Sequence, residues 1–442
     1  MNNELGRDIN LTSLIKVTLP TIIMMVFFSL YSVIDGIFIS RFVGPDALSA
    51  TNIIFPIINL IIGISIMLAT GGSAIVAKNM GEKKEDKARE YFTLIMTFAL
   101  IIGVLLAIIC LLFIKQIIYG LGSTENLYDF GYTYLSIMLL FTPVIILKLL
   151  FDYFLVTAGN PKLGLFCSIL GGVTNIILDY LLIVTFDLGI AGAAIATCLG
   201  YAVTAIIGLV YFCNKKHTLH FVKFKFNKKV IIKSCTNGSS EMVTQLASAV
   251  TTFLYNIYML KYLGESGVAA ITIVLYAQFL LASAILGFTS GVAPRISYSY
   301  GSKNINLLKK LIKNSYIYLG IISIASFTIA LLIAPIISAF FAGNGTDIYY
   351  ITVHGFKLFS FSFLLCGINI FTSGMFTALS NGKVSAILSL LRTFVFFILG
   401  ILILPPVLEV DGVWLVVVFA EILTLVASVY SLNKNKSYIV SE

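Results

Sequence analysis

The stretch TLPTIIMMVFFSLYSVIDGIFIS, residues 18–40, is apolar almost throughout and is long enough to cross a lipid bilayer as a single helix. Asp35 is its only acidic residue, and no other charge of either sign lies between Lys16 and Arg41. A carboxyl group is unfavourable inside a membrane and usually serves a function there. Asp35 is therefore the first lead to what this chain does.

Apolar segments of the same kind recur along the whole chain. Of its 442 residues, 59% are hydrophobic and 11% are charged, and the mean hydropathy is +1.01, which a water-soluble domain could not hide inside one core. The runs are rich in Leu, Ile and Phe without alternation, which indicates helices rather than barrel strands. The sequence predicts an all-α polytopic membrane protein with about twelve transmembrane helices. They cover residues 18–40, 50–77, 91–114, 132–157, 163–186, 190–213, 237–261, 268–296, 314–341, 352–379, 384–406 and 411–431.

The distribution of Lys and Arg predicts the orientation of the chain. The net charge is +9, and the cations are concentrated in every second connection. By the positive-inside rule, both termini then lie in the cytoplasm. This pattern orients a membrane protein and does not indicate nucleic-acid binding. The first segment is too long for a cleaved signal peptide, so we expect it to remain as a helix. The basic segments are 78–89, 215–233 and 303–313, with Lys434 and Lys436 near the C-terminus.

The chain also contains an internal repeat. Residues 41–44 (RFVG) recur as 261–264 (KYLG), and Gly71 and Gly81 recur as Gly291 and Gly301, all 220 positions later. Later landmarks agree, since 159–162 corresponds to 380–383 and Gly192 to Gly412. We therefore expect two six-helix lobes. The predicted boundaries are 1–213 for the N-terminal lobe, 214–236 for a cytoplasmic basic linker, and 237–442 for the C-terminal lobe.

Because each lobe has an even number of helices, both enter the membrane in the same direction. The lobes should be related by a parallel pseudo-twofold axis along the membrane normal, as in secondary transporters whose substrate site lies between repeats. Duplication also occurs in structural membrane proteins and in some channels, so the architecture favours transport without excluding them.

Four polar residues of the N-terminal lobe lie at one predicted depth. Counting about 1.5 Å per residue from the loops places Asp35 roughly 9 Å, Thr197 roughly 10 Å and Asp179 roughly 12 Å below the outer surface. Asn175 lies one turn deeper than Asp179, on the same helical face. If their helices adjoin, these groups form an ion-coupling site, because neighbouring buried carboxylates bind either a proton or a hard cation such as Na⁺. The alternative is that each Asp only bonds a neighbouring polar group.

The C-terminal lobe carries a different polar set. Glu421 and Arg392 both approach the midplane, where they could form a structural pair or act on substrate. Glu241 lies near the cytoplasmic end of its helix with Gln245 one turn away, which suits an inward-facing vestibule. Glu241 could instead compensate the helix dipole.

Two further features carry weaker signals. Tyr31 and Tyr255 are candidates for lining a cavity that binds planar cations. Lys148 and Asp152 stand at i and i+4, where they can neutralise each other on one helix face, and we interpret them as mainly structural.

Several motifs together resemble the multidrug and toxic compound extrusion (MATE) family, in particular its MepA-type bacterial branch. The resemblance covers essentially the whole chain. The motifs are SVIDGIF (32–38), GGSA (71–74) leading to GEK (81–83), AGNPK (158–162), TNIILD (174–179), GAAIAT (192–197), SYSYG (297–301), and DGVW (411–414) followed by Ala420-Glu421.

The resemblance implies two six-helix bundles in a bacterial cell membrane and antiport that exports lipophilic, often cationic drugs. It carries over Asp35, Asn175, Asp179 and Thr197 as the H⁺ or Na⁺ site. No cofactor other than the coupling ion is expected, and we expect a monomer in the lipid bilayer. Some family members have a second sodium site with an acid on the tenth helix, but this chain has Asn369 there and no acid.

Three other functions are alternatives to export. A flippase for lipid-linked saccharides shares the fold, but it should have a more cationic central cavity and additional helices. An intramembrane enzyme is disfavoured because no Ser-His or His-metal constellation is present. A channel is disfavoured by the two-lobe repeat.

Overall fold

The computed structural model describes residues 4–7 and 10–435 of this chain, so Lys436 lies outside the described residues. Within them, every regular element is helical. The α-helices are α1 Leu11–Phe38, α2 Pro45–Gly81, α3 Glu85–Leu112, α4 Ile114–Gly120, α5 Glu125–Leu140, α6 Thr142–Thr157, α7 Pro161–Asp179, α8 Gly189–Cys213, α9 Lys228–Gly301, α10 Ile305–Ala342, α11 Asp347–Phe359, α12 Phe363–Ala378, α13 Gly382–Leu390, α14 Phe396–Ile403 and α15 Pro405–Lys434.

The helices account for the predicted membrane spans. Ten stretches in the described chain are long and apolar enough to cross a bilayer, and α5 with α6, bent by 59°, makes an eleventh. The 74 residues of α9 are too long for one span, and their backbone breaks at Gly264, where φ is 65°. Dividing α9 there gives twelve spans, which confirms the predicted fold class.

The backbone repeats as the sequence does. Residues with positive φ occur in pairs 220 or 221 positions apart, where the chain turns between helices. Four of the paired residues are not glycine, namely Lys83, Lys303, Ser380 and Glu409, and positive φ is strained for such residues. The pairs are Gly44 and Gly264, Lys83 and Lys303, Gly122 and Gly343, Gly159 and Ser380, and Gly189 and Glu409.

Three short π-helical turns extend the helices that carry the candidate site residues. They cover Ile39–Val43 after α1, Tyr180–Thr185 after α7, and Leu391–Val395 after α13. The first two directly follow the segments that contain Asp35 and Asp179, and the third contains Arg392. Such turns are rare and often occur at functional sites.

The buried apolar residues form two clusters. One is built mainly from α2 to α8, with Phe92 packed against Phe154 and Phe212 at centroid distances of 4.9 and 4.7 Å. The other is built mainly from α9 to α15, with Phe288 packed near Phe371. The segment between them runs from the end of α8 at Cys213 to the start of α9 at Lys228.

The two halves of the chain touch backbone to backbone at the end that carries the basic connections, which we call the basic end. A Cβ on Gly238 of α9 would overlap the Met67 carbonyl of α2, and one on Gly71 would lie 2.7 Å from the Gly238 nitrogen. Gly301 faces the Lys78 carbonyl in the same way. These contacts form a glycine seam, defined by Gly71, Gly81, Gly238 and Gly301, which closes the basic end.

Candidate functional site

Glycine residues let α1, α7 and α8 approach closely in the N-terminal half. A Cβ on Gly171 of α7 would lie 2.6 Å from the Gly200 carbonyl oxygen of α8, and a Cβ on Gly200 would lie 3.0 Å from the Asn175 Cβ. Gly172, next along α7, faces Tyr31 of α1. Larger residues at these positions would hold the three helices apart, so these glycines set the geometry of the polar cluster that lies among them.

The four predicted ion-site residues do converge. Thr197 Oγ1 donates to Asp35 Oδ1 at 3.5 Å, and Asn175 Nδ2 donates to Thr197 Oγ1 at 3.5 Å. The side chains of Asp179 and Asn175 also interact with the Asp35 carboxyl group. Asp179 is fully buried, Asn175 is 2% exposed and Thr197 is 7% exposed. The structure therefore brings together the four side chains that the sequence predicted to converge.

The carboxyl group of Asp179 has no hydrogen-bond donor among the described residues. Both of its carboxyl oxygens are buried and accept no hydrogen bond from any described residue. An unpaired carboxylate in this setting is strongly unfavourable, and two carboxyl groups in contact cannot both stay charged without a proton or cation between them. The oxygen set of two carboxylates, an amide and a hydroxyl suits H⁺ or a hard monovalent cation. Among the described residues, no group of three or more His, Cys, Asp and Glu could hold a metal ion.

A second charged cluster lies in the C-terminal half. Arg392 Nε donates to Glu421 Oε1 at 2.8 Å, so the predicted pair is formed. Asn369 Nδ2 donates to Glu421 Oε2 at 2.7 Å, and Ser428 Oγ donates to Asn369 Oδ1 at 3.1 Å. Each carboxyl oxygen of Glu421 therefore has a donor, in contrast to those of Asp179. The role of Asn369 was not predicted from the sequence.

Glu241 lies in a small cavity between the two halves. The cavity has a volume of about 50 Å³, and its lining includes Glu241, Tyr153 of α6 and Thr289 of α9. Glu241 also interacts electrostatically with Arg392. Because the glycine seam closes the basic end, this cavity is not the inward-facing vestibule that the sequence suggested. Gln245 instead packs against Gly63 at the interface of the halves.

The structure places the two candidate tyrosines away from the cavities. Tyr255 is 2% exposed and packs on Phe397 within the C-terminal core, with ring centroids 5.0 Å apart. Tyr31 is 6% exposed and packs edge-on against Phe28, with ring centroids 5.3 Å apart. The expectation that they line a cavity for planar cations is therefore wrong for this structure, because the rotation of each helix turns the ring into its own lobe.

A larger apolar groove is not indicated by any sequence motif. It has a volume of about 690 Å³ and lies along the outer part of α9 on both sides of Gly264, with a lining that includes Phe253, Asn256, Leu260 and Glu265. All of its lining residues belong to α9, α10 or α11, in the second half of the chain. The carboxamide oxygen of Asn256 is buried and accepts no hydrogen bond from the described residues.

Comparison with known proteins gives consistent matches. The MatE family model matches residues 20–181 and 242–402. The multidrug export protein MepA of Staphylococcus saprophyticus is 25% identical over 395 residues, which cover 87% of this chain and 85% of that protein. MepA of Staphylococcus haemolyticus is 26% identical, with 86% and 84% covered.

Solved structures share the fold. A MATE crystal structure in complex with MaL6 has a TM-score of 0.93 at 23% identity, covering 98% of each chain. The outward-facing conformation of a multidrug resistance MATE family transporter has a TM-score of 0.92 at 23% identity, covering 98% of this chain and 97% of that one. A transporter of the MOP superfamily from Pyrococcus furiosus has a TM-score of 0.91 at the same identity and coverage.

Proposed function

This chain belongs to the MatE family, and from that premise we propose that it is a multidrug efflux antiporter that exports lipophilic, often cationic compounds in exchange for H⁺ or Na⁺. The observation that carries the proposal is the close pair of Asp35, which is half-buried, and Asp179, which is fully buried and has no donor among the described residues. Such a pair needs a proton or a cation to be stable, so it supports ion coupling rather than a structural role.

The four ion-site residues have different roles, which follow from their side-chain chemistry. Asp35 and Asp179 supply the charge that takes the ion, while Thr197 and Asn175 supply neutral oxygens and fix the Asp35 carboxyl. Asp35 lies on α1, which also contacts the second half of the chain through Ser29 and Ser283, 3.3 Å apart. Ion binding can drive transport to the extent that the site differs between the two states of the lobes, and α1 connects the site to both lobes.

The closed basic end supports an outward-facing state. By the positive-inside rule this end faces the cytoplasm, with both termini on that side of a bacterial plasma membrane. The apolar groove of about 690 Å³ is large enough for a drug-sized molecule, and Glu265 gives it a negative charge. We place substrate release there, while Glu241 in the small cavity faces a cationic substrate when the seam opens. The chain is proposed to work as a monomer.

The test is ethidium efflux from proteoliposomes under a pH gradient alone and then a sodium gradient alone. Asp35→Asn and Asp179→Asn should each abolish ion-driven export, because an amide cannot exchange a proton or neutralise a cation. Asp46→Asn is the matched control, since Asp46 is exposed at the start of α2. Export by Asp35→Asn at the wild-type rate would refute the coupling site, and the active gradient identifies the ion.

The flippase alternative receives less support from the geometry. Its pyrophosphate substrate would require free cations in a central cavity. Arg392 is paired with Glu421 and Lys148 with Asp152, at 2.8 and 2.7 Å, so neither supplies an uncompensated positive charge. Transport of a lipid-linked saccharide in the same proteoliposomes, with no ethidium efflux, would favour the flippase.

A further inference from the structure

Lys148 and Asp152 form a buried charge pair that the proposed ion site does not use. They lie one turn apart on α6 and are 5% and 3% exposed. Lys148 Nζ lies 2.7 Å from Asp152 Oδ2. The same ammonium lies 4.8 Å from the ring centroid of Phe28 on α1 and 5.3 Å from that of Tyr201 on α8. One carboxylate and two aromatic rings therefore surround it, as in protein sites that recognise ligand ammonium groups.

Asp152 has spare capacity for a ligand. Its second oxygen, Oδ1, is buried and accepts no hydrogen bond from any described residue. Buried polar atoms are rarely left unpaired, so an unpartnered carboxylate oxygen facing an ammonium group needs an explanation. A ligand ammonium with two or three N–H groups could donate to both oxygens at once, whereas a quaternary ammonium has no hydrogen to donate.

The pair lies next to the interface between the lobes. Tyr153, the residue after Asp152, lines the small cavity that also contains Glu241. Phe28 belongs to α1, and its neighbour Ser29 contacts Ser283 of α9. A change in the relative position of the lobes would therefore move Phe28, which forms one side of the Lys148 site. This movement would open the Lys148 site to the small cavity.

We propose that Asp152, Phe28 and Tyr201 form a binding site for primary and secondary alkylammonium groups, and that Lys148 fills it as a tethered ligand while the basic end is closed. In the opposite state, the ammonium of a substrate takes the place of the lysine. Return of the lysine then displaces the substrate. This inference rests on the proposed export activity only for its place in the cycle, and binding to the site does not require transport.

The test is calorimetric titration of the purified full-length protein with propylammonium, which reproduces the atoms that Lys148→Ala removes. Lys148→Ala should bind propylammonium at least about tenfold more tightly than the wild type does, because the ligand ammonium then contacts the carboxylate and the two aromatic rings that Lys148 otherwise occupies. The double variant Lys148→Ala/Asp152→Asn should lose that gain. Tetramethylammonium should bind Lys148→Ala at least about tenfold more weakly than propylammonium. Equal affinity in the wild type and Lys148→Ala, or a gain that survives loss of the Asp152 charge, would overturn the proposal.

Lys148→Ala leaves a buried carboxylate without its cation, so it is also purified in three salts. Recovery of monodisperse protein in propylammonium chloride, but not in tetramethylammonium or potassium chloride, supports the site. Failure in all three salts overturns the proposal, because the vacated site would not accept its ligand. Efflux of ethidium is measured separately, so a failed export proposal and a failed ammonium site give different results.

Discussion

The glycine seam makes a quantitative prediction about the balance between the two states of the lobes. In Gly238→Ala, the new Cβ would overlap the Met67 carbonyl and lie 3.0 Å from the Gly71 nitrogen. Both neighbours are backbone atoms in helices, so they cannot rotate away as a side chain could. Overpacking of this kind destabilises by about 1–3 kcal/mol. Because the contact exists only while the basic end is closed, the open state should gain population by about 5- to 150-fold.

Labelling of a buried cysteine measures this population. Ser297 is fully buried and lines the small cavity one turn from Gly301. In a variant whose six native cysteines are replaced, Ser297→Cys should react slowly with a membrane-impermeant maleimide in inverted vesicles. Adding Gly238→Ala should raise the labelling rate by the same factor by which it raises the population of the open state.

Gly320→Ala is the matched control. A Cβ at Gly320 of α10 would meet nothing within 4 Å, so this change should leave labelling unaltered and stabilise the helix slightly. An unchanged labelling rate in folded Gly238→Ala would show that the seam does not gate access to the cavity. A comparable increase in Gly320→Ala would show that labelling reports helix loosening instead.

Two further predictions compare a buried ion pair with an exposed one. Arg392→Met should lower the free energy of unfolding by about 3 kcal/mol, because it leaves the Glu421 charge buried without its cation; adding Glu421→Gln should recover much of the loss in thermal unfolding. His354→Ala removes the partner of Asp411, 2.7 Å away, but both side chains are about half exposed, so the loss should stay below about 1 kcal/mol. Equal losses for the two single variants would contradict the importance given to burial.

The bilayer explains why much of the fold could be predicted. A membrane-spanning helix must have a minimum apolar length, and its rise per residue is fixed, so depth can be counted from the loops. This reasoning located Asp35, Asp179 and Thr197 at one level, and their contacts followed once α1, α7 and α8 were adjacent. The pairing of Arg392 with Glu421 was predicted for the same reason.

Counting residues from the loops does not predict how each helix is rotated about its axis or which end of the lobes is closed. Tyr255 lies at a suitable depth, but its ring faces Phe397 because the packing of α9 on α14 decides which way it turns. Glu241 was expected in an open vestibule, whereas the closure of the seam depends on contacts between backbones 160 or more residues apart. In the sequence, such contacts appear only as glycines. The spacing of the glycines does not identify the backbone that each of them touches.

The repeat also provides a signal for the residues that were missed. Tyr201 stands 220 positions before Glu421, and Lys148 stands 221 before Asn369. Within each lobe the two residues are in contact: Lys148 lies over the Tyr201 ring in the N-terminal lobe, and Asn369 bonds to Glu421 in the C-terminal lobe. Equivalent positions thus hold a buried polar contact in each lobe, although the residues differ completely.

This difference gives the two lobes different roles. In the C-terminal lobe, Arg392 and Asn369 provide donors for both oxygens of Glu421, so an external ion would have to displace the chain's own cation. In the N-terminal lobe, Asp179 has no donor among the described residues, and the counterpart of Asp35 in the other lobe is the uncharged Tyr255. An external H⁺ or Na⁺ therefore gains most by binding beside Asp35 and Asp179, which is the physical basis for proposing that coupling occurs in one lobe only.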